Sequence, residues 1–187
     1  MSMDGTARTH SPTYSPAAKG LHWLIVLLLA IQFVTAYLLP HIGRNTPPST
    51  IIDLHFSFGV LVLVVMAVRF LHRLTHPVPL EAKDARPWER LLAKTTHRLF
   101  YAILLVSPFL GWASASAHRL PVSLFGIIPL PALAQPGAHW ANTAGDIHGT
   151  LMWALLWLVG LHVAAALYHH LVRHDGTLRR MLPSSGR

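Results

Sequence analysis

"IHGTLMWALLWLVGLHVAAALYHH", residues 147–170, runs through twenty-four positions without an aspartate, glutamate, lysine or arginine, yet it holds four histidines. A hydrocarbon core about 30 Å thick takes roughly 20 residues of helix to cross, so the stretch is long enough to span a bilayer. His148 and His162 lie fourteen residues apart within it. At 3.6 residues per turn that spacing falls only about 40° short of four full turns, and it covers about 21 Å along the axis. One membrane helix therefore presents two imidazoles from nearly the same stripe, at two depths.

Three further apolar stretches precede it, and each also carries a histidine: His22, His55 and His97. Spans are expected at about 18–39, 51–72, 88–117 and 144–172, which makes the protein an all-α, integral membrane four-helix bundle. The bundle occupies residues 18–174, between a mobile N-terminal tail (1–17, with Pro12 and Pro16) and a basic C-terminal tail (175–187). Pro108 falls inside the third span and predicts a kink. The longest connection, 118–143, is broken by Pro121, Pro129, Pro131 and Pro136, but its segment "VSLFGIIPLPAL" is too apolar for an open aqueous loop. It is expected to lie at the membrane surface or to cap the bundle.

Composition agrees. Of 187 residues 52% are hydrophobic and 12% charged, with a mean hydropathy of +0.44; a soluble domain carries about 25% charged residues. The net charge of +8 does not signal nucleic acid, because the basic residues flank the apolar runs. Four crossings put both termini on one side. Thirteen of the fifteen Lys and Arg residues fall with the termini or the middle loop, and only Arg44 and Arg119 fall opposite. By the positive-inside rule the termini are cytoplasmic. In a bacterium this is the inner, or cell, membrane. With no cysteine, thiolate metal sites and a covalently attached c-type haem are excluded. With fourteen histidines, imidazole is the expected ligand for any metal.

Depth sorts the histidines. Counted at 1.5 Å per residue from the outer rim, His55 and His148 each lie about one turn down. His22 lies about 25 Å down and His162 about 27 Å. Two pairs result, His55 with His148 outside and His22 with His162 inside. Facing imidazoles across a bundle core suit the axial positions of a b-type haem iron, and small residues nearby (Gly59, Gly149, Gly160, Ala165, Ala166) leave room for a porphyrin. Against this stands the plainer reading, that each histidine only hydrogen-bonds a neighbouring helix or meets interfacial water. His97 competes for the inner level, and His169 shares the stripe of His148 and His162 about 10 Å nearer the cytoplasm. His72, His76, His170 and His174 read as solvated at the inner rim, and His41, His118 and His139 as outer surface residues. Arg69, at the inner end of span two, suits either a haem propionate or a lipid phosphate.

"LHW" in span one, "DLHFSFGVLVLVVMAVRF" in span two, "FGIIPLP" in the long loop and "IHGTLMWALLWLVGLHVAAALYHHLVRHDGTLRRMLP" at the end resemble the bacterial cytochrome b561 family. The resemblance covers nearly the whole chain after the tail. It implies a di-haem b membrane cytochrome with His22 and His162 as axial ligands of the inner haem, and His55 and His148 of the outer one. It also implies exchange of electrons with ubiquinone and, as in some members, oxidation of superoxide on the outer face. Lys94 stands where some relatives carry another histidine. The leading expectation is thus a superoxide:ubiquinone oxidoreductase in which Arg44 and Arg119 steer the anion toward the outer haem. The alternative is a cytochrome b relay or anchor subunit of a respiratory dehydrogenase or hydrogenase, which would make a respiratory protein its redox partner. A non-haem transporter fits less well, since the spans hold almost no acids, and Asp53 and Asp146 lie at their rims.

Overall fold

The computed structural model describes residues 13–43, 45–76 and 86–182. Four long helices, each long and apolar enough to cross a membrane, make up most of it: α1 (Pro16–Tyr37), α2 (Thr50–Thr75), α3 (Pro87–Ala117) and α4 (His139–Tyr168). Residues 118–138 join α3 to α4 and include a two-stranded hairpin, β1 (Ser123–Leu124) with β2 (Ile128–Pro129), in the register Ser123↔Pro129 and Leu124↔Ile128. The protein is a multi-pass, all-α membrane bundle. The end carrying the termini and the α2–α3 linker is here called inner, and the opposite end outer.

The helix ends differ from those expected, each for a local reason. α1 begins at Pro16 because the Ser15 hydroxyl accepts the Ala18 N–H at 3.2 Å and proline suits the first helical position. Positions 16 and 17 therefore belong to the helix; residues 1–12 of the expected tail lie outside the described residues. α2 runs on to Thr75, three residues past the expected end. α4 opens at His139, five residues early, although Ala138 makes no side-chain cap. Packing starts it instead. Ala141 is 0% exposed among Ala113, Ala117 and Ala134, where only small side chains fit. Gly137, at φ +78°, turns the chain so that its N–H reaches the Ala117 carbonyl at 2.9 Å. At the far end α4 passes into a π-helical turn, His169–Arg173, closed by His174 in the left-handed region.

The C-terminal segment is not a free tail over its described part. The Trp23 indole donates to the Met181 carbonyl at 2.9 Å, and the Thr13 hydroxyl to that of Arg180 at 3.1 Å. Residues 175–182 thus fold back onto the start of α1, and residues 183–187 lie outside the described part.

Neighbours in sequence are neighbours in space: α1 packs on α2, α2 on α3 and α3 on α4. α1 and α4 do not meet, and no Cα of one comes within 8 Å of the other. The bundle is therefore a three-seamed wall with a slot along the fourth side. Its central core is Ile25 and Leu28 of α1, Val62, Val65 and Met66 of α2, Leu104 of α3 and Leu155 of α4. Leu155 is 0% exposed and stands seven residues from both His148 and His162, so a buried apolar layer separates the two histidine levels. In lipid such contacts are favoured by close packing rather than by exclusion of water.

The outer loop is pinned over the bundle. The Ser57 hydroxyl, fully buried on α2, donates to the Ser123 carbonyl at 3.0 Å and accepts the Phe125 N–H at 2.8 Å. Ser116 accepts the Leu133 N–H at 3.1 Å, and the Trp112 indole donates to the Pro131 carbonyl at 3.1 Å. Ile52, Ala115, Leu120 and Val122 fill the space beneath. The apolar segment of the loop is a cap.

Candidate functional site

The outer half of the bundle encloses a cavity of about 740 Å³ with His55 of α2 and His148 of α4 on its walls. Gln32 and Phe33 of α1 and Ser107 and Gly111 of α3 complete much of its lining. The volume lies in the range of cofactor pockets, roughly 300–1,000 Å³.

Both imidazoles are held by the same kind of contact. His148 Nδ1 lies 2.9 Å from the Ser107 carbonyl, which can only accept, so Nδ1 carries the proton. Ser107 Oγ, 2.8 Å from the same nitrogen, is free to donate to Met152 Sδ at 3.9 Å. Ser107 directly precedes Pro108, the residue that interrupts the helical ladder of α3. On the facing wall the Thr35 hydroxyl donates its one hydrogen to the Gln32 carbonyl at 3.0 Å. The 3.2 Å contact between His55 Nδ1 and Thr35 Oγ1 is then a donation from the imidazole. Each ring is left with a bare Nε2 lone pair, the tautomer a metal ligand needs.

Glycine sets the spacing. A Cβ on Gly111 would stand 3.2 Å from His148 Cε1 and Nδ1, and one on Gly59 would stand 3.2 Å from Gln32 Nε2. A Cβ on Gly149 or Gly160 would meet nothing within 4 Å. Gly160 also stands two residues before His162, about 200° round the helix from it. The tight glycines are thus Gly59, Gly111 and Gly145, the last with Ser114 Oγ 2.5 Å from where its Cβ would stand, and Gly160 lies away from the His162 face.

At the inner level, His22 stands near the inner end of α1, and His97 and His162 lie in the inner halves of α3 and α4. His97 and His162 touch edge to face with ring centroids 5.8 Å apart, and Phe100 meets His162 at 5.4 Å. The His97 Nδ1–H is given to the Ala93 carbonyl at 2.8 Å, so this ring too has a bare Nε2. Position separates the three. α3 and α4 pack together, which puts His97 on the same wall as His162, whereas His22 faces them from across the α1–α4 slot.

His169 is engaged elsewhere, against Asp175, which also accepts from the Thr177 N–H at 3.0 Å and the Thr177 hydroxyl at 2.6 Å. Burial alone would raise the Asp175 pKa, but hydrogen bonds from Thr177 and His169 outweigh it and hold the carboxyl below its ordinary range. Arg119 is exposed at φ 62°, directly after the last turn of α3. Arg44 lies outside the described residues. His118 is not the surface residue its loop position suggests. Half-buried, it gives its Nδ1–H to the Ser114 carbonyl at 2.8 Å and lines the cavity mouth with Asn142 and Asp146.

Among the described residues no three His, Cys, Asp or Glu side chains cluster closely enough to hold a bare metal ion. Two imidazoles across a slot leave the remaining coordination to a planar group, which is what a haem supplies. The pre-set tautomers, the glycine approach at Gly111 and the cavity volume all fit such a group.

The prokaryotic cytochrome b561 profile matches residues 13–184. Cytochrome b561 homolog 2 of Escherichia coli is 31% identical over 185 residues, covering 95% of each chain. The probable superoxide oxidase CybB of Yersinia pestis is 33% identical over 170 residues, covering 91% of this chain and 96% of the relative. Cytochrome b561 homolog 1 of Escherichia coli is 29% identical over 168 residues, with 87% and 93% covered.

Proposed function

The chain belongs to the prokaryotic cytochrome b561 family of haem-b electron-transfer proteins, and on that premise we propose that it is a di-haem superoxide:ubiquinone oxidoreductase of the bacterial inner membrane. His55 and His148 hold the outer haem b, His22 and His162 the inner one, and both termini are cytoplasmic. One observation carries the reading: two imidazoles from different helices face one cavity, each with its Nδ1 hydrogen-bonded to a residue of a neighbouring helix. The name of the Yersinia pestis relative supports superoxide as donor.

When bound, haem iron supplies the one-electron redox change. The chain does the rest. Thr35 and Ser107 fix ring orientation, and the capping loop limits water above the outer site. The Leu155 layer keeps the space between the levels apolar. Arg119 and Arg44 raise the local concentration of an incoming anion. In the balanced reaction two superoxide anions become two dioxygen molecules, and the two electrons with two protons convert a quinone into its quinol.

A reduced-minus-oxidised spectrum of the purified protein, with haem-to-protein stoichiometry, should give two low-spin b haems per chain. Pulsed superoxide should then reduce them and, with a short-chain ubiquinone present, yield quinol. If the haems stay oxidised under superoxide but are reduced by a respiratory dehydrogenase, the chain is a relay subunit instead.

A further inference from the structure

The inner end holds a second, much smaller cavity of about 30 Å³, between the start of α1, the end of α2 and Tyr101 of α3. Its charged wall is entirely basic. Arg69 reaches across from α2 to donate to the Ala18 carbonyl at 2.8 Å, with Tyr101 on the same cavity wall. Arg73 lies one turn further on the same helix and lines the same cavity. His72 and His76 stack beside them, ring centroids 4.0 Å apart. Like charges four residues apart on a helix destabilise it, and a half-buried guanidinium without a counter-charge is costly. Among the described residues no carboxylate lines this cavity, and the described acids at this end are engaged elsewhere, Glu89 with Arg173 and Asp175 with His169.

We infer that Arg69 and Arg73, with Tyr101, form a binding site for a single oxyanion, a carboxylate or a phosphate. Two arginines spaced by one turn present donors that match such a group. The cavity is too small for a whole headgroup or cofactor but admits the terminal oxygens of one. Ala18, which fixes the depth of Arg69, lies four residues before His22, about 6 Å along α1. The oxyanion therefore sits one helical turn to the inner side of the proposed inner haem. A propionate of that haem, or the phosphate of a phospholipid at the rim, has the required chemistry. The propionate source rests on the di-haem reading, and the phosphate source does not.

Arg69→Gln, Arg73→Gln, Tyr101→Phe and Arg69→Lys test the site in the purified full-length chain. Haem stoichiometry of the unsubstituted protein comes first, because a chain without an inner haem rejects the di-haem reading while leaving the phosphate source open. Redox titration and native mass spectrometry of retained phospholipid follow. With propionate in the site, Arg69→Gln makes one haem about tenfold harder to reduce, about 59 mV for one electron. The other haem and the lipid content do not move, and Arg69→Lys recovers most of the shift. With phosphate in the site, Arg69→Gln and Arg73→Gln lose bound phospholipid while both potentials hold. Should Arg69→Gln fail to fold, Arg73→Gln and Tyr101→Phe carry the same readouts in smaller degree. Potentials and lipid content unchanged across the soluble variants overturn the site.

Discussion

The two histidine levels share one helix, α4, yet they are built differently. At the outer level a carbonyl or hydroxyl on a neighbouring helix holds each imidazole, a glycine lets α3 press against His148, and a pinned loop closes the top. At the inner level His22 and His162 stand on opposite sides of the slot, His97 and Phe100 crowd His162, and a basic cavity lies further toward the inner rim. The outer site is pre-organised by neighbouring helices, whereas the inner site is defined by position and by charge. On the proposed reading, side-chain geometry is fixed most firmly at the outer site, and basic charge is concentrated at the inner rim.

The largest effects should come from the ligands. His55→Ala or His148→Ala is expected to reduce two haems per chain to one, and His22→Ala or His162→Ala to remove the other, as read by pyridine haemochrome and low-spin absorbance. The contrast between levels breaks if His97→Ala removes a haem while His162→Ala leaves both low-spin.

Next in size is the glycine pair. Gly111→Ala places a Cβ 3.2 Å from the His148 ring and should lower outer haem occupancy severalfold. Gly160→Ala meets no atom within 4 Å and faces away from His162, so both haems should stay, with helix stability higher by about 1 kcal/mol or less. Equal haem loss in the two variants would mean that close helix approach is not what sets the outer site.

Smaller again are the orienting groups. Thr35→Val removes the sole Nδ1 partner of His55 among the described residues, whereas Ser107→Ala leaves His148 its carbonyl acceptor. Losing a ligand's hydrogen-bond partner costs about 10–100-fold in affinity. Competition of the purified protein with apomyoglobin for haem should therefore find Thr35→Val at or above the low end of that range and Ser107→Ala below it. The reverse order would shift the orienting role to the Ser107 hydroxyl.

The smallest effect expected is at Arg119. An exposed cation steers an anion only within a Debye length, about 8 Å at physiological ionic strength. Arg119→Gln should slow haem reduction by superoxide a few-fold at low salt and hardly at all at high salt. A rate indifferent to both would leave the arginine a lipid contact.

Much of the frame could be read directly from the sequence, because apolar runs of membrane length admit few interpretations and a helix converts residue number into depth. That arithmetic puts His55 level with His148, and the structure brings them to one cavity. It could not find Thr35 or Ser107, since their role depends on which faces two helices turn toward each other, twenty and forty-one positions along the chain. Gly160 was misjudged because nearness in sequence to His162 is not nearness in angle. The early start of α4 carries no capping signal at Ala138; it comes from a patch of alanines contributed by three segments. The fold-back of the C-terminal segment was equally hidden, as Trp23 and Met181 stand 158 positions apart.

The unmet seam between α1 and α4 has a consequence for how the protein is made. Its two walls are the first and the last of the four helices to leave the ribosome, so for most of translation the first wall has no counterpart. His55 and His22 enter the bilayer well before His148 and His162 exist as partners. On the proposed ligation, the outer haem cannot be clasped until synthesis has passed His148, nor the inner one until it has passed His162. Delivery must then occur sideways through lipid or before the two walls draw together. At the inner end the wait is longer still, because the hydrogen bond from Trp23 to Met181 spans that seam.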